Sequence, residues 1–375
     1  MPPLSMMIKP ASSACNMRCS YCFYADVTNH RDIVSYGVMK PEVMRRLIRR
    51  AFTYADQAIS FAFQGGEPTL AGLEFFRSFV ENVRQCNGRG LQVNYALQTN
   101  GTTLDDAFCS FLAEHHFLTG VSLDGTPEVH NAHRLDAAGN GTYDRVMHGI
   151  DLLKKHGADY NILCVVTSRT VQSAEVCWEH LRQHRYLQFI PCIQDFDAGP
   201  EQEPLTAEEY GRFLILTFDL YEKAIRQGRP VSERRFDNYM AMLLGQMPEL
   251  CGMSGVCGMY FLVEADGSVY PCDFYALDDW KMGNVFTDTL KKMESSPASL
   301  SFRNASLALP EACPGCRWVQ LCRGGCRRDR EPFLSTGAPG TNRFCESYRM
   351  FFDACYPRMR ALAQDIADGR VRIQP

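Results

Sequence analysis

The stretch KPASSACNMRCSYCFYAD, residues 9–26, decides the fold, because it places Cys15, Cys19 and Cys22 within eight residues. Structural metal sites in proteins normally close with four protein ligands. Three thiols with no fourth cysteine beside them leave one metal position open, and an open position is typical of a reactive site. The stretch overlaps LSMMIKPA (4–11), which has the composition of a buried strand. We therefore predict a reactive metal centre on a loop at the end of a strand.

Length and composition limit the classes of protein that this chain could be. Its 375 residues suggest two domains, or one large α/β barrel with an appendage. With 46% hydrophobic and 22% charged residues it is an ordinary soluble globular chain, and the net charge of −4 gives no basic field for nucleic acid. No apolar run approaches the ~20 residues that span a bilayer, and MPPLSMMIKP lacks the features of a signal peptide. We expect a cytoplasmic protein.

The seventeen cysteines are many for such a chain. In a reducing cytosol they are expected to be metal ligands or catalytic groups before disulfides. Eight lie between Cys251 and Cys345, and Cys355 follows them. Others lie singly in apolar or amphipathic stretches and are predicted to be small buried side chains. These are Cys86, Cys109, Cys164, Cys177 and Cys192.

The first two thirds of the chain alternate between strand-like and helix-like patterns. Candidate strands are 4–11, 59–66, 91–101, 117–125, 159–168 and 186–193. Amphipathic helical stretches follow at 41–55, 72–86, 104–116, 142–156, 171–184 and 206–228. Six strand-then-helix units predict parallel strands joined by right-handed crossovers.

Polar residues end several of these strands, as in QGGEP, QTNG, SLDG and TSRT. In βα barrels the active site is built at these carboxyl ends, and the cysteine triplet follows the first strand onto the same rim. After about residue 230 the alternation stops and cysteine, glycine and arginine increase. YFLVEADGSVYPCDFY (260–275) predicts a β-hairpin that turns at Asp266-Gly267, and 346–368 has helical periodicity.

The C-x3-C-x2-C spacing of the triplet resembles that of the radical SAM enzymes. In that family three thiolates hold a 4Fe–4S cluster, and S-adenosylmethionine (SAM) supplies the missing ligand to the fourth iron. GGEP (65–68) resembles the family's second signature, where Gly65 and Gly66 let the backbone approach the cofactor. Further SAM contacts implied by the resemblance are Tyr21, Ser122, Arg134 and Ile193. The alternatives are a surface position for Arg134 and ordinary core positions for Tyr21 and Ile193.

The second group of cysteines resembles the SPASM domain, which carries two auxiliary 4Fe–4S clusters. By that resemblance one cluster is bound by Cys251, Cys257, Cys272 and Cys326, and the other by Cys313, Cys316, Cys322 and Cys345. The two sets interleave along the chain, so spacing alone does not pair them, and C-x2-C pairs also suit zinc. CRGGCRRDR (322–330) carries four arginines, whose charge would offset that of an anionic thiolate cluster.

YPCDFYALDDW (270–280) is the most specific stretch, because Asp273 directly follows the predicted ligand Cys272. It resembles anaerobic sulfatase-maturating enzymes, in which an aspartate at this place is the proposed base; the alternative is a structural hairpin residue. The likeness extends over IKPASS, CSYCFYA, SFAFQGGEPTLAGLEFF, LQTNGT, NILCVVTS and VYPCDFY. The chain departs from it mainly in 195–235 and 327–345, which leaves peptide contacts there undefined.

The resemblance implies an α/β fold: a partial, six-unit (β/α) barrel of the TIM type in 1–230, then a SPASM domain in 231–375. The implied reaction oxidises a Cys or Ser side chain of a sulfatase to Cα-formylglycine, using three 4Fe–4S clusters and SAM. The implied partners are an unfolded sulfatase segment with a Cys/Ser-x-Pro/Ala-x-Arg motif and an electron donor such as flavodoxin or ferredoxin. Alternatives are a SPASM enzyme that makes thioether or carbon–carbon crosslinks, and a zinc-binding module.

Overall fold

The computed structural model describes residues 3–197, 205–331 and 340–373. The predicted departures of 195–235 and 327–345 fall partly outside these residues. The strands are β1 (Leu4–Ile8), β2 (Ala58–Phe63), β3 (Gln92–Thr99), β4 (Phe117–Ser122), β5 (Tyr160–Val166), β6 (Tyr186–Pro191), β7 (Ser232–Glu233), β8 (Phe261–Val263), β9 (Ser268–Tyr270) and β10 (Gly283–Asn284).

Helices alternate with the strands in the first half of the chain and dominate the second half. They are α1 (Phe23–Asn29), α2 (Pro41–Tyr54), α3 (Leu73–Cys86), α4 (Asp106–Glu114), α5 (Pro127–His130), α6 (Tyr143–His156), α7 (Ser168–Gln172), α8 (Ala174–Leu181), α9 (Ala207–Arg226), α10 (Arg234–Leu243), α11 (Leu290–Glu294), α12 (Pro297–Leu307), α13 (Val319–Cys322), α14 (Arg327–Arg330) and α15 (Cys345–Ala367). Within the described ranges, none is both long and apolar enough to cross a membrane.

The six predicted strands are all present, so the predicted βα alternation is confirmed. The predicted helix 171–184 is instead two helices, α7 and α8, which separate at Ser173. Among the scattered cysteines, Cys109, Cys164 and Cys177 are buried, as predicted. The prediction is wrong for Cys86 and Cys192, which are only partly buried, because they lie at the ends of α3 and β6 rather than inside them.

The chain divides into two compact units. The first unit comprises residues up to Ser122, Arg134–Tyr160 and Met259–Phe302. Its strands run in the order β10-β9-β8-β1-β2-β3-β4, with β1 to β4 parallel. Aromatic side chains fill the space between the strands and α3, where the rings of Phe61 and Phe63 lie 5.1 and 4.8 Å from that of Phe79.

The predicted hairpin is formed by β8 and β9, which pair antiparallel. Gly267 takes a left-handed φ of +86°, and its N–H donates to the carbonyl of Glu264 at 2.9 Å, so the turn lies at the predicted dipeptide. Strand β8 also pairs parallel with β1. Periodicity did not predict that the hairpin would extend the N-terminal strands. The domain boundary near residue 230 stays a prediction.

The second unit comprises Leu123–His133, Asn161–Gly258 and the residues from Arg303 onward. Strands β5, β6 and β7 are parallel neighbours in it, and helices α9, α10 and α15 pack together. Thr206 caps α9 in a capping box with Glu209. The ring of Phe351 in α15 lies 5.7 Å from Phe218 and 5.8 Å from Phe236, which joins the three helices through aromatic contacts.

Candidate active site

The cysteine triplet lies on the loop between β1 and α1, in the first unit. Cys22 is the residue that precedes α1, and all three thiols are partly buried. The N–H of Met17 donates to Cys15 Sγ at 3.4 Å, and the amide of Asn100 approaches the same sulfur at 3.9 Å. Burial raises the pKa of the Cys15 thiol, and these two donors oppose that rise because they stabilise a thiolate.

Asn100 connects the cysteine loop to the end of β3. Its Nδ2 donates to Asn16 Oδ1 at 2.8 Å, and Asn16 Nδ2 donates to Thr102 Oγ1 at 2.9 Å. Asn100 belongs to the QTNG stretch, which the sequence indicated only as a polar strand end. The structure shows that this strand end fixes the loop that carries Cys15.

Glu67 of the GGEP stretch is 1% exposed and ties several loops together. Its carboxylate accepts hydrogen bonds from Thr69 Oγ1 at 2.7 Å, Thr99 Oγ1 at 2.8 Å and the N–H of Asn100 at 2.7 Å. Its own N–H donates to the carbonyl of Ala14 at 2.8 Å. Burial raises the pKa of Glu67, and the hydrogen bonds oppose that rise. The residue holds the loops after β1, β2 and β3 in one arrangement.

Gly65 and Gly66 occupy left-handed backbone positions, with φ of +89° and +53°. A β-carbon on Gly65 would lie 2.5 Å from Lys9 Cε, and one on Gly66 would lie 2.3 Å from the carbonyl oxygen of Ala14. Both positions therefore require glycine, because side chains would collide and left-handed φ is unfavourable for them. In the structure the glycine backbone closely approaches the segment that leads into the cysteine triplet. Its predicted approach to SAM stays a prediction.

Tyr21, Ser122 and Arg134 also belong to the first unit. Gln98 Nε2 donates to Ser122 Oγ at 3.2 Å, and the Arg134 guanidinium lies 5.5 Å from the centroid of the Tyr21 ring. Arg134 is 7% exposed, so the alternative of a surface arginine is wrong. The N–H of Arg18 donates to the carbonyl of Leu135 at 2.7 Å, which joins this segment to the cysteine loop.

Asp273 lies on a single turn of 3₁₀ helix, Asp273–Tyr275, which packs against α1. Tyr24 Oη donates to Asp273 Oδ2 at 3.3 Å, and Cys272 Sγ donates to Oδ1 at 3.5 Å. The rings of Phe23 and Phe274 make an edge contact at 4.8 Å. Burial raises the pKa of Asp273, and these hydrogen bonds oppose that rise. The helix that begins after Cys22 thus presents a tyrosine to the predicted base.

The sequence did not indicate Tyr24 as a site residue. Its partner lies 249 residues away, so no local pattern could have shown the contact. The one signal was that Tyr24 follows the third cysteine of the triplet by two residues, within the stretch CSYCFYA. Burial and the Asp273 carboxylate both raise the pKa of Tyr24 well above its ordinary value, which keeps the phenol protonated as a donor.

Four cysteines of the second unit line one cavity of about 460 Å³. They are Cys313, Cys316, Cys322 and Cys345, the set that the resemblance assigned to one auxiliary cluster. Burial raises the pKa of Cys322 to about 11, and the neighbouring thiols add to the rise. Thiols that repel each other as thiolates around an open space are suited to binding a cationic metal group.

The second unit also contains Cys251, Cys257 and Cys326, and Ile193, which is half-buried after β6. Burial raises the pKa of Cys326 well above its ordinary value, and Cys251 and Cys257 lie near enough to raise it further. Cys257 is anchored by its N–H, which donates to Ser306 Oγ at 2.8 Å. The fourth cysteine of this predicted set, Cys272, lies on the hairpin of the first unit.

The arginines after Cys326 are buried. Arg327 Nε donates to Glu331 Oε2 at 2.8 Å, and Arg330 donates to the carbonyl of Ala308 at 2.7 Å. Burial raises the pKa of Cys257, and the charges of Arg327 and Arg330 oppose that rise. The guanidinium groups therefore favour a thiolate at Cys257, while their compensation of an anionic cluster stays a prediction.

Within the described ranges, no three His, Cys, Asp or Glu side chains are grouped closely enough to hold a single metal ion. Thiolates on one zinc ion lie about 4 Å apart, since each Zn–S bond is about 2.3 Å long. Thiolates of a 4Fe–4S cluster bind different irons, with the cluster between them. Cys313, Cys316, Cys322 and Cys345 share one cavity of about 460 Å³.

Comparisons with known proteins agree with this geometry. Residues 10–175 match the radical SAM superfamily, and residues 255–317 match an iron-sulfur cluster-binding domain, SPASM. The cysteine-type anaerobic sulfatase-maturating enzyme of Clostridium novyi is 43% identical over 371 residues, covering 98% of this chain and 99% of the relative. The chain belongs to the anaerobic sulfatase-maturating enzymes. As a radical SAM enzyme it uses a 4Fe–4S cluster and SAM, and its SPASM domain binds auxiliary clusters.

A serine-type member of this family, from Klebsiella aerogenes, is 31% identical over 369 residues, covering 97% of this chain and 88% of the relative. The solved structure of native anSMEcpe with bound AdoMet and the Cp18Cys peptide is 41% identical to the chain, with a TM-score of 0.92. The match covers 97% of this chain and 100% of that one. The α/β fold with a parallel sheet is therefore the fold of an anaerobic sulfatase-maturating enzyme.

Proposed function

We propose that this enzyme oxidises a cysteine side chain of a sulfatase to Cα-formylglycine, with Asp273 as the base. The observation that carries the proposal is the Tyr24–Asp273 hydrogen bond, because it places the carboxylate against the helix that begins at the cysteine triplet. A cysteine target is favoured over serine because the cysteine-type relative is 43% identical and the serine-type relative 31%.

Eleven cysteines would hold three 4Fe–4S clusters. Cys15, Cys19 and Cys22 would bind the cluster that holds SAM, while the two auxiliary sets are Cys251, Cys257, Cys272 and Cys326, and Cys313, Cys316, Cys322 and Cys345. When bound, the first cluster and SAM supply a 5′-deoxyadenosyl radical, which removes one hydrogen atom from the target Cβ. The cavity shared by the last set and the half-buried triplet support this assignment.

The proposal extends to the residues that would hold SAM. The Gly65-Gly66 backbone would receive the amino group, and Ser122 and Arg134 the carboxylate, to which a guanidinium fork is suited. Tyr21 would lie beside the cluster, where it already packs against Arg134, and Ile193 would form an apolar wall for the adenosine. Glu67 would keep the glycine turn and the cysteine loop at a fixed separation.

Asp273 would accept the thiol proton of the target cysteine, a task for which a raised pKa suits a carboxylate. Loss of that proton, of one Cβ hydrogen atom to the radical and of one electron, which an auxiliary cluster would accept, gives a thioaldehyde. Water then converts the thioaldehyde to the aldehyde and releases hydrogen sulfide. Tyr24 would hold the carboxylate by donating to Oδ2, which leaves Oδ1 toward Cys272.

The proposed substrate is an extended segment with a Cys/Ser-x-Pro/Ala-x-Arg motif, modified before the sulfatase folds. Buried peptide groups need hydrogen-bond partners, so such a segment would pair its backbone with the enzyme. A flavodoxin or ferredoxin would supply the first electron, in the cytoplasm. We further propose that residues 1–230 form the radical SAM domain and 231–375 the SPASM domain.

The test is an anaerobic incubation of the reconstituted enzyme with a peptide of under about twenty residues that carries the motif. The cysteine peptide should lose sulfur and gain an aldehyde that reacts with hydrazines, as seen by mass spectrometry. An enzyme that makes crosslinks would retain the sulfur and give no hydrazone. Formation of 5′-deoxyadenosine with no hydrazone from either a cysteine or a serine peptide would contradict the proposal.

Asp273→Asn keeps the size of the side chain and removes most of its basicity. Product formation should fall about 10²–10⁴-fold, the usual contribution of a general base, while cofactor cleavage continues. The matched control is Asp279→Asn, because Asp279 is an exposed aspartate of the same stretch. Unchanged product formation in Asp273→Asn would assign Asp273 a structural role.

A further inference from the structure

Lys9, Arg31 and Glu264 form a buried charged cluster, the Lys9 cluster, that the proposed reaction does not use. Lys9 Nζ and Arg31 Nη1 each lie 2.7 Å from Glu264 Oε1, and the side chains of all three are fully buried. Burial alone would raise the pKa of Glu264, but the two cations hold it below its ordinary value. Buried charges are costly to desolvate, so two cations on one carboxylate require an explanation.

The stem of Lys9 lies against the glycine turn. A β-carbon on Gly65 would come within 2.5 Å of Lys9 Cε and 2.6 Å of Lys9 Cγ, so the turn rests directly on the lysine methylenes. Lys9 itself follows β1 and is held by its N–H, which donates to the carbonyl of Val263 at 2.9 Å. The lysine therefore connects the glycine turn to the hairpin strand β8.

The ammonium group of Lys9 lies against Tyr24, the hydrogen-bond partner of the predicted base. Nζ is 5.2 Å from the centroid of the Tyr24 ring, within the range of a cation–π interaction. Tyr24 Oη donates to Asp273 Oδ2 at 3.3 Å. A chain of contacts thus runs from Glu264 through Lys9 and Tyr24 to Asp273, all within the first unit.

Charge balance supports a link between the Lys9 cluster and Asp273. The two cations and one carboxylate of the cluster leave one positive charge in the interior. Burial lowers the pKa of Lys9, and the carboxylates of Glu264 and Asp273 oppose that fall because both favour the charged lysine. In an interior of low dielectric such pairs interact over longer distances than in water.

We propose that Lys9 is a positioning residue: anchored by Glu264, it holds the Gly65-Gly66 turn with its stem and orients Tyr24, and through it Asp273, with its ammonium group. The proposal rests on the proposed role of Asp273 as the base. Losing the charge while keeping the stem should then impair the use of the base without impairing cofactor cleavage.

Lys9→Met separates the role of the stem from that of the charge, because methionine keeps an unbranched apolar stem and leaves the Arg31–Glu264 pair with no net charge. We expect product formation to fall about 10–100-fold, as for other misplaced catalytic groups, with 5′-deoxyadenosine formation within about threefold of the parent. The matched control is Arg31→Met, which removes the other cation of Glu264 but no contact with Tyr24. It should keep the parent ratio of 5′-deoxyadenosine to formylglycine.

Iron content and thermal unfolding identify variants that have lost their fold. If Lys9→Met is one of them, Lys9→Gln replaces it, because glutamine can still donate a hydrogen bond to Glu264 but carries no charge. A fall of both activities together would indicate a purely structural role and overturn the proposal. The same increase of the ratio in Arg31→Met would also overturn it, because the effect would then be one of buried charge in general.

A double-variant cycle and a structure give further readouts. Tyr24→Phe already removes the hydrogen bond to Asp273, so adding Lys9→Met to it should not raise the ratio of 5′-deoxyadenosine to formylglycine any further. If the two substitutions instead raise the ratio independently, so that their effects multiply, the chain of contacts is refuted. A crystal structure of Lys9→Met should show the Tyr24 ring displaced and its hydroxyl separated from Asp273. If Asp273→Asn forms product normally, the proposed base is wrong. If Asp273→Asn loses product formation but Lys9→Met keeps the parent ratio of 5′-deoxyadenosine to formylglycine, only the positioning role is wrong.

Discussion

The cysteine loop of the first unit and the cysteine cavity of the second unit hold their thiols in different surroundings. The loop brings three cysteines next to a turn of two glycines, to the Asn100 amide and, through α1, to Tyr24 and Asp273. The cavity brings four cysteines together around about 460 Å³, with Trp318 and Tyr348 in its wall. In the proposed function the first arrangement would leave a ligand position open for a cofactor, and the second would provide all four ligands.

The two regions differ in the groups that surround their thiols. At the loop, polar groups that could act on a cofactor or substrate are held in place by buried partners such as Glu67 and Glu264. Around the second unit's cysteines, the pKa values respond to burial and to neighbouring thiols or guanidinium groups. In the proposed function the chemistry therefore takes place at the loop.

The largest expected effect comes from removing the thiols of each region in turn. Cys15, Cys19 and Cys22 replaced together by alanine should abolish formation of 5′-deoxyadenosine and remove about four of about twelve irons per chain, the content of one 4Fe–4S cluster. Replacing Cys313, Cys316, Cys322 and Cys345 should also remove about four irons but retain detectable cofactor cleavage. Iron analysis and chromatography of 5′-deoxyadenosine measure both.

Cys109→Ala is the control for these variants, because Cys109 is buried in α4 and belongs to no predicted set. It should keep all the irons. Cofactor cleavage by the triplet variant would break the comparison, since the cofactor would then bind elsewhere.

An intermediate effect is expected from the glycine turn. Gly66→Ala should weaken SAM binding about 10–100-fold, because a β-carbon 2.3 Å from the Ala14 carbonyl forces the turn away from the cysteine loop. Gly37→Ala is the matched control: its φ is also left-handed, at +71°, but no atom lies within 4 Å of the added carbon. Equal losses of SAM affinity, measured by titration, would attribute the effect to backbone strain alone.

The smallest expected effect compares the buried carboxylates of the two units. Glu67 accepts hydrogen bonds from several donors, whereas Glu233 accepts them from the N–H groups of Phe189 and Phe236. Burial raises the pKa of Glu233 to about 7, and these two hydrogen bonds oppose that rise only in part. The folded state then holds the Glu233 proton more tightly than the unfolded state, so stability decreases as pH rises from about 4.5 to about 7. Between pH 6 and 8 the loss should be about 1 kcal/mol.

Glu233→Gln cannot ionise and should lack this decrease. Thermal unfolding at pH 6 and pH 8 measures it in both proteins. An identical decrease in parent and variant would show that Glu233 is already ionised at pH 6 in the folded enzyme.

Several features followed from the sequence alone. The six βα units and the hairpin at Asp266-Gly267 are recorded in local periodicity and turn residues, which depend on neighbours within a few positions. The cysteine spacing indicated the family, because ligands of one cluster lie close together on a short loop. The grouping of Cys313, Cys316, Cys322 and Cys345 came from resemblance and agrees with their shared cavity.

Only the tertiary structure showed what holds the site together. The contacts of Tyr24 with Asp273, of Lys9 with Glu264 and of Glu67 with Asn100 join residues 249, 255 and 33 positions apart. They exist because β8 pairs with β1 and because β1, β2 and β3 are neighbours, so their connecting loops meet at one edge. Local patterns specify which segments become strands, whereas the order of the strands decides which loops meet, and that order is set by packing over the whole unit.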